Sequence, residues 1–320
     1  MMKHKAMGHR EKLERWGLLF VSPFVIVYCV FSLWPTIYTF MLSFGNLKGL
    51  RTDFGFAGPV NFLRLVKDVY FWGAIGNTFI ISWCTFFFQL GIALLLSVWL
   101  SDTRLNLKGR AAFRAIIYMP NLFTAASVSM LFRSLFLYPM GPLSKILYTL
   151  GLHQEVLING ATVRQAVDVF RSGGFTRGLV SFIYWLMWYG HTNIILMAGI
   201  TGIPSSLYES ALADGASSRQ TTWHITLPLL RPIMLYVFIT SMIGGMQAFD
   251  IPALLTEMRG NPDFKVRTAV MYLYNVSFQG NNDYSYGAAI SVGMFIVTIV
   301  LALIIFFFLQ DRSELKKKRV

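Results

Sequence analysis

Apolar runs of membrane-crossing length alternate with polar stretches along the whole chain. The runs cover about residues 16–44, 75–100, 112–132, 178–200, 232–248 and 288–309. A helix needs roughly 20 apolar residues to cross the hydrocarbon core, so the pattern predicts about six transmembrane helices in an all-α, polytopic membrane fold. The first run follows a basic stretch, as the core of a leader peptide would. It is too long for one, contains Pro23 and Pro35, and offers no small-residue cleavage site, which predicts a retained span. Pro120 predicts a kink in the third span, and Arg133 at its far end is placed to snorkel toward the membrane surface.

The polar stretches are less regular. Over residues 45–74, Gly58-Pro59-Val60-Asn61-Phe62 predicts a turn followed by an interfacial segment, and Phe71 and Trp72 suit the aromatic belt. Residues 134–177 predict an external loop with some interfacial helix. Residues 250–286 carry turn signals at Arg259-Gly260-Asn261-Pro262 and Gly280-Asn281-Asn282-Asp283. The linker at 204–230 predicts two short helices and a tight elbow. Pro204 suits the first turn of a helix, and Ser205 to Asp214 are mostly good helix formers. Gly215 reads as the stop, because glycine enters the left-handed region without penalty. Ser217 and Gln220 have capping-box spacing for a second helix, running through Trp223 and ending before Pro228.

Composition agrees with the membrane reading. Hydrophobic residues are 55% of the chain and charged residues 13%, against about 25% charged in a soluble domain. One transmembrane domain over residues 16–310, with basic tails at 1–15 and 311–320, accounts for the chain. Of its 28 Lys and Arg, 16 fall in the stretches 1–15, 101–114, 205–231 and 311–320. The positive-inside rule then places both termini and the elbow in the cytoplasm, and it explains much of the +13 net charge without nucleic acid. Cys29 and Cys84 both sit in apolar runs, which indicates no disulfide framework.

Much chemistry is missing from the sequence. There is no G-x-x-x-x-G-K-[ST], so the chain has no phosphate cradle of that type. The histidines at 4, 9, 153, 191 and 224 show no metal spacing, and neither G-x-S-x-G nor H-E-x-x-H occurs. What remains is polarity inside spans, which in lipid normally faces a bundle interior or a cavity. The fourth span carries Tyr184, Trp188, Tyr189, His191 and Asn193. The fifth carries Ser241, Gly244, Gly245 and Gln247, with Asp250 at its outer end. Tyr184, Trp188 and His191 share one helix face, and Ser241, Gly245 and Ala248 share another. An aromatic, hydrogen-bonding face opposite a glycine-rich one suits a sugar; the other reading makes the glycines helix-packing residues and the aromatics core. Asp250 is open between ligand, helix-end charge and turn residue. Arg259, Lys265 and Arg267 form a basic external cluster, compatible with an acidic sugar, a binding protein or plain solvation.

The run Glu209-Ser210-Ala211-Leu212-Ala213-Asp214-Gly215, nine residues, then Ile225-Thr226-Leu227-Pro228 resembles the cytoplasmic loop signature of the membrane subunits of bacterial ABC importers. Ala198 to Pro204, Phe249-Asp250 and Leu254-Leu255-Thr256 are similar to the carbohydrate-uptake, maltose-type branch. Ser210 departs from the usual alanine. The resemblance implies a type I importer permease in the bacterial inner membrane. It implies two partner ATPase subunits carrying ATP and Mg, a second and different permease, and a solute-binding protein that delivers an oligosaccharide. It places Glu209, Ala211, Asp214, Gly215, Ile225, Leu227 and Pro228 in an ATPase groove, and a sugar along the fourth and fifth spans. Gly244, Gly245 and Ala248 are smaller than their maltose-specific counterparts, which argues against maltose itself. The rivals are an importer of glycerol phosphate or another small anion, an ion-gradient-driven secondary transporter, and a membrane-embedded enzyme.

Overall fold

The computed structural model describes residues 16–49, 54–101, 108–158, 161–280 and 282–309. In chain order the elements are α1 Trp16–Ser43, α2 Val60–Val66, α3 Val69–Ser101, α4 Arg110–Tyr118, α5 Ala125–Leu135, α6 Pro142–Thr149, β1 His153–Ile158 and β2 Ala161–Ala166. They continue as α7 Gly173–Thr201, α8 Ser205–Ala213, α9 Ser218–Thr221, α10 Leu227–Met246, α11 Asp250–Leu255, α12 Ala269–Phe278 and α13 Tyr284–Leu309.

The all-α membrane architecture agrees with the apolar pattern. Among the described residues, four stretches are long and apolar enough to cross a membrane: Trp16–Ser43, Val69–Ser101, Ser218–Leu255 and Tyr284–Phe308. Helix α7 is 29 residues long, ample for a crossing, but is diluted by Gly, Thr, His and Asn. The third predicted span differs most. It is not one kinked helix: α4 and a 3-10 turn at Met119–Leu122 meet α5 at 86°. Phe123 and Thr124 are extended there, and Thr124 restarts the helix by accepting from the Ser127 N–H. Pro120 therefore marks a break, since its missing N–H lets the preceding helix end.

Two other expectations are corrected. The elbow's second helix does not end before Pro228; α9 runs through a π-turn at Thr222–Thr226 straight into α10. The Leu227 N–H donates to Thr222 O, five residues back, which moves the carbonyls away from the proline ring. The same device precedes Pro35 in α1, where the Trp34 N–H donates to Cys29 O. The 134–177 stretch holds α6 and also an antiparallel hairpin, paired from His153↔Ala166 to Ile158↔Ala161. Its sequence signal is Asn159-Gly160 between β-formers, a strong hairpin marker. Helix α2 lies in the stretch read as a turn and an interfacial segment, α11 and α12 lie in one read only for its turn signals, and α3, α7 and α13 start several residues before the predicted spans.

The chain divides into two compact units, residues 1–67 with 276–293, and residues 68–275 with 294–320. In the second unit α3 and α7 run parallel, and their polar side chains pair rung by rung. Arg177 donates to Asn77, Ser181 to Ile81 O, and the Gln89 amide to Thr192 Oγ1 at 2.7 Å; Asn193 Nδ2 donates to Ala93 O at 3.0 Å. Helix α10 runs antiparallel to α3: Phe238 stacks on Phe86 at 4.2 Å, and Gln89 also reaches Ser241 Oγ at 3.4 Å. The bent α4–α5 pair returns along α7, with Asn121 donating to Met187 O and Phe132 edge-on to Phe182. In the first unit the Asn61 amide closes the end of α1 by donating to Ser43 O and Gly45 O. Arg64 there binds Asp283 at 3.0 Å and covers the buried Tyr286 ring.

Helices α3 and α10 approach closely at Gly245, where an added Cβ would lie 2.5 Å from Ser82 Oγ and 2.7 Å from its Cβ. Gly245→Ala is expected to destabilise the detergent-purified protein by about 1–3 kcal/mol through overpacking. Adding Ser82→Gly removes both clashing atoms and should recover most of the melting temperature. A double variant no more stable than Gly245→Ala alone would contradict this packing.

Candidate functional site

The elbow between α7 and α10 is built entirely by local rules. Pro204 is extended and caps α8 from outside instead of occupying its first turn. Gly215 lies at φ +76°. Its N–H donates to Leu212 O at 3.0 Å and the Ala216 N–H donates to Ala211 O at 2.9 Å, the paired bonds of a Schellman turn. Ser217 then opens α9 with a full capping box: its hydroxyl accepts from the Gln220 N–H, and its own N–H donates to Gln220 Oε1 at 2.8 Å. Tyr208 OH meets Thr226 Oγ1 at 3.2 Å and ties the two arms.

The elbow leaves an apolar tip in solvent. Leu207, Leu212 and Trp223 are exposed, and so are Glu209, Asp214, Gly215 and Pro228; Ala211, Ile225 and Leu227 are half-buried. Behind the tip lies a cavity of about 370 Å³ that Glu209 lines together with hydroxyls of Tyr208, Thr222 and Thr226.

The residues proposed for a sugar path separate into groups. Tyr184 packs on the core that holds Ile81, Ile183 and, from α11, Ile251. Trp188 is 45% exposed and stands edge-on to exposed His191 at 5.9 Å. Asn193 lies on the other side of α7, buried against α3, and its Oδ1 has no partner. Ser241 is joined to that side through Gln89. Gly245 faces Ser82, whereas Gly244 opens onto free space, and Gln247 and Asp250 are exposed. Asn77, Ser82 and Gln89 of α3 and Thr192 of α7 were not singled out in the sequence. Their signal was polarity inside long apolar runs. Among the described residues no cluster of three or more His, Cys, Asp or Glu could hold a metal ion; His4 and His9 lie outside those residues.

At the other end of α3 and α7, the 256–267 loop is firmly held. Asn77 donates to Phe264 O and Arg267 O, and Arg177 donates to Lys265 O. Glu257, Met258, Asp263 and Phe264 all adopt positive φ, a strained backbone that only surrounding contacts sustain. Arg267 is 9% exposed, with its guanidinium over Phe264 at 4.1 Å, Tyr272 at 5.0 Å and Tyr70 at 5.3 Å. Arg259 and Lys265 are exposed on the same loop. Arg133 of α5 donates to Glu257, and this bond and charge hold the Glu257 carboxyl below the usual carboxylate range.

A carboxyl with a depressed folded pKa stabilises the native state above its unfolded value, about 4.3 for Glu, and the effect vanishes as pH falls through the lower folded value. Hydrogen exchange of residues 256–260, corrected for the intrinsic rate, should therefore stay constant from pH 7 to 5 and rise below about pH 4. In Arg133→Gln the exchange should be faster and indifferent to that acid step. An acid step that persists in the variant would assign it to another group.

The family model for the binding-protein-dependent transport system inner membrane component matches residues 93–318. The lactose transport system permease protein LacF of Rhizobium radiobacter is 30% identical over 96% of this chain and 100% of its own length. The arabinooligosaccharides transport system permease protein AraP of Bacillus subtilis is 31% identical over 89% of this chain and 86% of its own. Among solved structures, a bacterial ABC transporter involved in the import of the acidic polysaccharide alginate superposes with a TM-score of 0.74 at 23% identity. That match covers 93% of this chain and 97% of the other.

Proposed function

The chain belongs to the family of binding-protein-dependent transport system inner membrane components, and from that premise we propose that it is one of two membrane subunits of an ATP-driven oligosaccharide importer. The elbow carries the reading. A Schellman turn and a capping box back to back make a rigid projection, and its exposed Leu207, Leu212 and Trp223 form an apolar surface for a partner groove. The partners are two ATPase subunits holding ATP and Mg, a second and different permease, and a solute-binding protein. Relatives named for lactose and for arabinooligosaccharides support a sugar cargo. The elbow and both termini lie in the cytoplasm in this reading, as the distribution of Lys and Arg supports.

Closure of the ATPases on ATP moves the elbow, and Glu209, Ala211, Asp214, Gly215, Ile225, Leu227 and Pro228 transmit that movement. Because α9 continues into α10 without a joint, the second arm carries the shift into the membrane as a lever. The cargo passes Tyr184, Trp188, His191, Asn193, Ser241, Gly244, Gly245, Gln247 and Asp250, and exposed Trp188 offers an aromatic face for sugar C–H groups. An ion-gradient transporter would have no use for an apolar elbow outside the membrane.

The test is ATP hydrolysis by the complex purified through a tag on this chain, with sugar-loaded binding proteins added. A loaded binding protein should stimulate hydrolysis severalfold. Gly215→Val should abolish the stimulation, since a β-branched residue in the left-handed region costs at least about 1–2 kcal/mol, whereas Gly215→Asn should retain much of it. Absence of a co-purifying ATPase would overturn the reading. Trp188→Ala should weaken uptake of the stimulating sugar while leaving basal hydrolysis unchanged.

A further inference from the structure

We propose that the cavity beside Arg267 is a carboxylate-recognition site for an acidic sugar, which deepens and rests on the importer reading. The cavity has a volume of about 230 Å³ and is walled by Tyr70, Gly73 and Asn77 of α3 and by Phe264, Lys265 and Arg267 of the loop. That is less than the roughly 300–1,000 Å³ of sites for drug-sized ligands, so it suits one ring of an oligosaccharide, with the rest of the chain outside.

Its central group is a buried cation with an unfilled donor. Arg267 is more than nine-tenths buried, and its Nε–H has no acceptor. A guanidinium does not shed its proton, so the cavity is lined by a permanent, largely desolvated positive charge that a ligand carboxylate would answer. The three rings around it fix its plane without supplying a counter-charge. Nearby carboxylates are engaged: Asp68 accepts from Tyr272 OH and from the N–H groups of Tyr70 and Phe71, and Asp263 pairs with Lys265 at 3.8 Å on the exposed rim. At the mouth Lys265 is offset by Asp263, so the Arg267 guanidinium is the cation a carboxylate would meet.

The walls select a sugar acid over a bare anion. Tyr70 and Phe264 are partly exposed at the cavity, so the ring surface not covered by the guanidinium is available to C–H groups of a sugar whose carboxylate is drawn to the cation. Phe264 is held there against its backbone preference, at φ +56°, by the Asn77 amide, whose Nδ2 donates to Phe264 O and Arg267 O. A phosphate ion would leave both rings unused.

The test is binding of a galacturonic acid trimer and a neutral hexose trimer to the intact complex, purified through this chain in phosphatidylcholine nanodiscs. The acidic trimer should bind at least tenfold tighter than the neutral one, and the difference should shrink at high salt. Arg267→Gln should reduce acidic-trimer binding at least tenfold and leave the neutral trimer unaffected. Gly73→Leu fills the cavity without touching a charge, and its Cβ meets nothing within 4 Å; it should match Arg267→Gln at an unchanged melting temperature. Equal binding of the two trimers, or acidic binding indifferent to Gly73→Leu, would overturn the proposal. So would stabilisation by phosphatidylglycerol with none by the acidic trimer. Stimulation of ATP hydrolysis by a loaded binding protein judges the importer reading separately: if it persists while the acid preference is absent, only the carboxylate site fails.

Discussion

A polar group inside a bilayer must find its partner within the protein, and that requirement sets the geometry of the larger unit. Helices α3 and α7 are parallel, so no tight turn can join them, and their alignment depends on what lies between them. Asn77, Ile81, Gln89 and Ala93 on one side meet Arg177, Ser181, Thr192 and Asn193 on the other. Interhelical hydrogen bonds in membranes average only about 0.6 kcal/mol each. Their weight lies in register: sliding one helix past the other would leave several donors unsatisfied at once. Gln89 extends the constraint to α10 through Ser241. The elbow hangs from the ends of α7 and α10, and the 256–267 loop rests on the starts of α3 and α7, so both ends inherit their positions from this ladder.

The two ends differ in how they are made. The elbow is a sequence of local motifs, each complete within a few residues, and it depends on the bundle only for its placement. The loop at the other end is a long-range object. Its positive-φ residues are supported by Asn77 and Arg177, from helices far away in the chain, and by Arg133. On the proposed reading this division suits the task. A coupling projection has to keep its shape while it is moved, whereas a recognition surface has to be assembled from the walls that enclose it.

Proline shows how far local rules reach. Pro35 and Pro228 both lie inside continuous helices because a π-turn precedes each one and withdraws the obstructing carbonyls. Pro120 stands in a 3-10 turn, and the chain breaks by 86° soon after it. Sequence marks all three as hazards to a helix. Which outcome follows depends on whether the neighbouring helices reward a straight rod or a bend, and Asn121, bonded to Met187 O just past Pro120, rewards the bend.

By itself the sequence determined the membrane class, the apolar runs, the stop at Gly215, the capping box at Ser217 and the family to which the chain belongs. Each of these depends on interactions spanning a handful of residues, or on composition alone. Tertiary structure decided that the third run is broken, that α9 flows into α10, that Trp188 and Asn193 face different ways from one helix, and that Arg267 sits in a box of three rings. Those outcomes turn on contacts between residues separated by up to about two hundred positions, such as Tyr70 and Arg267. Hydrophobic periodicity says which residues avoid water, but only packing says which partner each polar one meets.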